Sequence, residues 1–78
     1  MLHQEPDLTR LGAIFNDHRA TSGLTYDELA EKSGLSRQTL LNLAAGRFNG
    51  DLRTWMLLAK AFDTSLDAML DPAWSDHK

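Results

Sequence analysis

Apolar residues recur along this chain at spacings of three and four, the period that stacks side chains on one face of an α-helix. Leu8, Leu11, Ile14 or Phe15, and His18 share such a face in a first helix, which Ser22 and Gly23 bring to an end. Thr25 stands where a second helix needs its cap, and Glu28, three positions on, completes a capping box. Asp27 and Glu28 in that first turn also suit the positive end of the helix dipole. This helix buries Leu29 and Ala30 and stops at Gly34; Ser36 then caps a third helix running to Ala45, with Gly46 as its stop. Asn49-Gly50 signals a loop, after which Asp51 caps a fourth helix whose Leu52, Trp55, Met56, Ala59 and Phe62 share a face. Asp63 and Thr64 interrupt the pattern, and a short fifth helix, Ser65 to Leu70, turns Leu66, Met69 and Leu70 to the core before Asp71-Pro72 ends it.

The two prolines, Pro6 and Pro72, bracket this stretch, so the fold class predicted is all-α: one domain over residues 8–70 between tails over 1–7 and 71–78. Trp74 is the one sticky side chain of the second tail. At 78 residues the core is small, and with no cysteine present nothing can staple it covalently. The absence of thiols, of a secretory leader pattern at residues 1–7 and of any apolar run near the ~20 residues of a membrane span leads us to expect a cytoplasmic protein with no membrane association.

The second and third helices meet at a very short turn. If Tyr26 opens a helix-turn-helix, the small residue needed where the two helices touch falls at Ala30, and the left-handed turn position falls at Gly34. Leu29, Leu35, Leu40 and Leu43 occupy the positions that lock the pair against the other helices. The run Thr25-Tyr26-Asp27-Glu28-Leu29-Ala30-Glu31-Lys32-Ser33-Gly34-Leu35-Ser36-Arg37-Gln38-Thr39-Leu40 resembles the phage-repressor family, the Cro or xenobiotic-response-element type. Downstream, Gly46-Arg47, Leu52, Ala59-Lys60-Ala61-Phe62 and Ser65-Leu66-Asp67-Ala68-Met69-Leu70 are similar to that family's last two helices, so the resemblance spans residues 8–70. It implies a compact five-helix, lambda-repressor-like domain whose third helix enters the major groove of double-stranded DNA. Two positions depart from the family: Tyr26 stands where Gln is usual, and Leu57 where a polar residue is usual.

Periodicity assigns faces to that third helix. At about 100° per residue, Leu40, Leu43 and Ala44 lie inward and Gln38, Asn42 and Ala45 outward. Gln38 and Asn42 are one turn apart, and each amide can bond adenine bidentately. Arg37 reaches either guanine or phosphate; Leu41 either meets a thymine methyl or is plain surface; Thr39 either bonds DNA or bonds its own backbone. Phosphate contacts are expected from Tyr26, Ser36, Arg47 and Asn49, with Arg53 either joining them, pairing with Asp51 or lying in solvent. On these roles Gln38 and Asn42 set base preference, while loss of Arg47 weakens all sequences alike. Arg10 and Arg19 read as solvated charges of the first helix.

Charge qualifies the picture. Eight Lys and Arg against eleven Asp and Glu leave a net charge of -3, unfavourable for a chain approaching phosphates. Between Ser36 and Arg53, however, three arginines face one aspartate, so positive charge gathers beside the third helix. Affinity is therefore expected to depend on salt and on dimerisation. A homodimer has half-sites about one helical turn, ~34 Å, apart, and Leu57, Ala61, Leu66 and Trp74 are the candidates for its two-fold patch, unless Trp74 folds over Leu57 within one chain.

A regulator of transcription, a repressor in type, is the leading expectation. The alternative is an antitoxin-like or adaptor module that keeps the fold, binds a regulatory protein and does not bind DNA specifically. The histidines His3, His18 and His77 are too scattered for a metal site, and neither a nucleophile-base order nor a phosphate-cradling loop is present, so no enzyme activity, cofactor or small-molecule ligand is expected.

Overall fold

The structure, a computed structural model, describes residues 5–74. Five α-helices follow one another: α1 (Leu11–Ser22), α2 (Tyr26–Ser33), α3 (Arg37–Ala44), α4 (Leu52–Ala61) and α5 (Leu66–Leu70). Short 3₁₀ turns at Leu8–Arg10 and Asp71–Trp74 flank them, and there is no strand among the described residues. His3 and His77 lie outside this range.

Local chemistry starts the helices where the sequence places them. Thr25 Oγ1 accepts from the Glu28 amide at 3.1 Å, while Glu28 Oε1 accepts from the Thr25 amide at 2.9 Å, closing the expected capping box. Ser36 caps α3 by accepting from the Thr39 amide at 3.0 Å, Asp51 caps α4 by accepting from Thr54 at 2.8 Å, and Ser65 caps α5 by accepting from Ala68 at 3.1 Å. Gly34 ends α2 at φ +81°, the left-handed region that a side chain disfavours, and so lets α3 begin after a three-residue turn.

Phe15 of α1, Leu29 of α2, Leu40 and Leu43 of α3, Leu58 of α4 and Met69 of α5 are fully buried, so every helix contributes to one core. Each such side chain gains about 1.5–3 kcal/mol from leaving water. Polar ties set the register around that core. Asn16 Nδ2 of α1 donates to the Ala44 carbonyl at 3.1 Å, and buried Ser33 Oγ accepts from the Leu35 amide at 3.1 Å inside the α2–α3 turn.

The packing departs from the periodicity in four places. Leu8 is half exposed, outside the α1 stripe. On α4 the buried side chains are Thr54, Trp55, Leu58, Ala59 and Ala61, whereas Leu52 and Met56 are 66% and 56% exposed. Leu57, expected to project, is half-buried against the core. The C-terminal stretch is folded through Trp74: Ala73 is buried, and its carbonyl accepts from the Asp7 amide at 2.7 Å, tying the two ends of the domain together. His18 lies beside Phe62 with ring centroids 5.5 Å apart, in keeping with its place next to the apolar stripe. None of the described helices is long and apolar enough to cross a membrane.

Candidate nucleic-acid interface

Only Gly34, Leu35 and Ser36 separate α2 from α3, so the two helices pack as one unit. Leu29, Leu35, Leu40 and Leu43 clamp them to the core, each at most 7% exposed, and Ala30 packs against the same cluster. With the inner face of α3 fixed, its outer face is fixed too. Arg37 and Gln38 are exposed; Thr39, Leu41 and Asn42 are half-buried. The loop after α3 carries Arg47, Phe48 and Asn49 beside that face, all exposed.

Gln38, Asn42 and Arg47 form a connected polar row. Gln38 Nε2 donates to Asn42 Oδ1 at 3.2 Å, and Arg47 donates to the same oxygen through Nε at 3.3 Å and Nη2 at 3.2 Å. The backbone supports this: the Arg47 amide donates to the Asn42 carbonyl at 2.9 Å, folding the loop back onto the end of α3. Of the remaining base-reading candidates, Arg37 pairs with Asp27 on α2, Nε to Oδ1 at 3.2 Å, both exposed. Thr39 Oγ1 accepts from Ser36 Oγ at 2.8 Å, so these two hydroxyls hold each other across the cap of α3.

Tyr26, nominated for a phosphate contact, also has a structural task. Its ring lies under the guanidinium of Arg19, 4.3 Å from the centroid, with that of Arg37 6.0 Å away and the Phe15 ring at 6.5 Å. Arg19 is thus not a plain solvated charge. Its Nη1 donates to the Leu24 carbonyl at 3.0 Å, and the guanidinium braces the start of α2 by a cation–π contact. The only advance sign was Tyr26 seven residues on, too weak a signal without the fold. Arg10 instead pairs with Asp7 at 3.3 Å.

In the loop, the Asn49 carbonyl accepts from Trp55 Nε1 at 2.6 Å, which fixes the loop backbone to α4. Asp51 is held below the ordinary carboxylate range first by the Thr54 amide and then by the Thr54 hydroxyl, with nearby Arg53 adding a smaller electrostatic pull. Arg53 is exposed on the first turn of α4. Phe48, an exposed aromatic next to Arg47, was not among the expected site residues; its place in an otherwise polar loop was the available sign.

Of the four dimer candidates, only Trp74 is exposed. Ala61 is only 3% exposed and offers a partner little area, and Leu57 is half-buried against the core. Leu66 is half-buried and Trp74 is exposed. Of the exposed large apolar residues, Leu8, Leu52 and Trp74 line one groove of about 330 Å³, Met56 with Leu66 lines another depression, and Phe48 stands on the loop after α3.

Comparison with known proteins bears on this architecture. An HTH-type transcriptional regulator of Methanothermobacter thermautotrophicus is 40% identical over 48 residues, 62% of this chain and 70% of that protein. Among solved structures, the restriction-modification controller protein C.AhdI of Aeromonas hydrophila superposes with a TM-score of 0.74 at 30% identity, over 81% of this chain and 96% of that one. The clp gene regulator ClgR of Corynebacterium glutamicum superposes with a TM-score of 0.77 at 30% identity, over 91% of this chain and 76% of that one. A helix-turn-helix family model matches residues 15–69, most of the chain and all of the α2–α3 unit. The chain therefore belongs to the helix-turn-helix family of transcriptional regulators, of the phage-repressor type, and is not an enzyme.

Proposed function

We propose that this protein is a sequence-specific repressor that binds duplex DNA as a homodimer in the cytoplasm, with α3 in the major groove. The observation that carries the reading is the division of α3 into two faces. Leu40 and Leu43 are fully buried, while Gln38, Asn42 and Arg47 form an accessible hydrogen-bonding row on the other side. Amides in such a position match the hydrogen-bonding edges of base pairs. Arg37, Thr39 and Leu41 complete the base-facing set; Tyr26, Ser36, Arg47, Asn49 and Arg53 supply phosphate contacts around it. Membership of a transcriptional-regulator family supports the same reading.

A single module of this size contacts few base pairs and carries a net charge of -3, so two copies are needed for selective binding. We assign the two-fold contact to the apolar surface built around exposed Leu52, Met56, Trp74 and Leu8, with half-buried Leu66 beside Met56, because buried Ala61 cannot supply it.

Selection from a random duplex library at low and at moderate salt tests the function. An enriched, two-fold-related motif with binding that weakens steeply as salt rises is the expected result. Absence of enrichment at low salt would overturn it. That outcome would favour the protein-binding adaptor instead, a reading supported by the acidic net charge and the exposed apolar face.

A further inference from the structure

Asn42 Oδ1 receives three hydrogen bonds from within the chain, two from Arg47 and one from Gln38. A guanidinium has donors and no acceptor, so only the oxygen of the Asn42 amide can face it. The same constraint passes along α3. With Asn42 Oδ1 facing Gln38, only the Gln38 amino group can face back. Arg47 therefore fixes which way round both amides stand.

We infer that Arg47 is a positioning residue for base selection, holding Asn42 as a hydrogen-bond donor only. This rests on the proposed docking of α3 in the major groove and adds what each amide reads there. An unconstrained Asn bonds adenine bidentately, accepting from N6 and donating to N7. Asn42 lacks a free acceptor for that, since its oxygen is saturated by Arg47 and Gln38. What it turns outward is Nδ2, which matches an edge made of acceptors: guanine, with N7 and O6 side by side. Gln38 keeps its Oε1 and the second proton of Nε2, the pair that adenine requires. The row thus reads adenine at Gln38 and guanine at Asn42. Arg47 spends two of its donor groups on Asn42 and keeps Nη1 for a phosphate, so orientation and anchoring are joined in one side chain.

The test is duplex selection with the full chain and the Arg47→Ala, Arg47→Lys and Asn42→Ala variants. Arg47 is exposed, and neither its side chain nor that of half-buried Asn42 belongs to the hydrophobic core, so these variants fold, as circular dichroism will register. In the wild type, guanine is expected at the position that Asn42→Ala randomises. Arg47→Ala lowers the guanine-to-adenine ratio there by roughly tenfold, leaving the Gln38 position at adenine. Arg47→Lys keeps the salt dependence and most of the guanine preference, because an ammonium is likewise donor-only and can face only the Asn42 oxygen. An unchanged motif in Arg47→Ala, with affinity reduced equally for all sequences, would overturn the inference and leave the DNA-binding function standing. No motif from the wild type would overturn both.

Discussion

Gly50 and Gly34 have nearly the same backbone, φ +79° and +81°, yet replacing each by alanine should have different consequences. A Cβ at Gly34 meets nothing within 4 Å. Its cost is the left-handed conformation alone, about 1–2 kcal/mol. A Cβ at Gly50 falls 2.5 Å from Trp55 Nε1 and 3.4 Å from Leu43 Cδ2. The indole must move, and its 2.6 Å bond to the Asn49 carbonyl is broken. Leaving such a donor unsatisfied adds about 1–3 kcal/mol, for a total of about 2–5 kcal/mol. For a domain of this size 1 kcal/mol shifts Tm by about 4–8 °C, so Gly50→Ala should melt well below Gly34→Ala, itself below wild type. Calorimetry gives the Tm values, and tryptophan emission, in a Trp74→Phe background to remove the exposed indole, reports the Trp55 environment. Equal losses from the two alanine substitutions, or unchanged Trp55 emission in Gly50→Ala, would refute the steric argument.

Three further outcomes follow from the geometry. Tyr26→Phe keeps the ring beside Arg19 and Arg37 and should leave Tm unchanged, whereas Tyr26→Ala should lose about 2–3 kcal/mol by urea denaturation, since aromatic burial and cation–π contacts go together. The Asp51 carboxyl is held below its ordinary value near 3.8 by the Thr54 amide, so its stabilising effect is present above that pH and is lost as pH falls through the lowered value. Asp51→Asn, which still caps α4, should make the acid limb of a stability–pH curve shallower below the ordinary carboxylate range. Leu52→Glu with Met56→Glu should shift sedimentation from dimer to monomer with little loss of Tm, because both side chains are exposed; a chain that remains dimeric would move the two-fold contact elsewhere.

The α2–α3 unit was legible because its signals are local: a capping box, a glycine at the left-handed turn and leucines at fixed spacing each act within one helical turn. The same holds for the outward placement of Gln38 and Asn42, which follows from burial of Leu40 and Leu43. The face of α4 was not. Seven of the ten residues in Leu52–Ala61 are apolar, so hydrophobic periodicity does not mark where the buried arc ends. Burial of Leu58 and Ala61 in place of Leu52 and Met56 turns that arc by roughly 60° from the expected face. The roles of Arg19 and Arg47 were hidden for another reason. Long side chains find partners that only the assembled fold brings near, the Tyr26 ring for one and the Asn42 oxygen for the other.

Whether α3 and the loop after it meet the bases is decided by nuclear magnetic resonance, following backbone and side-chain amides as the selected duplex is added. The largest shifts are expected at Gln38, Asn42 and Arg47, with lesser ones at Tyr26, Ser36 and Asn49, and salt-sensitive titration throughout. Shifts centred on Leu52, Met56 and Trp74, with the Gln38 and Asn42 side-chain amides unmoved, would contradict that contact with the bases.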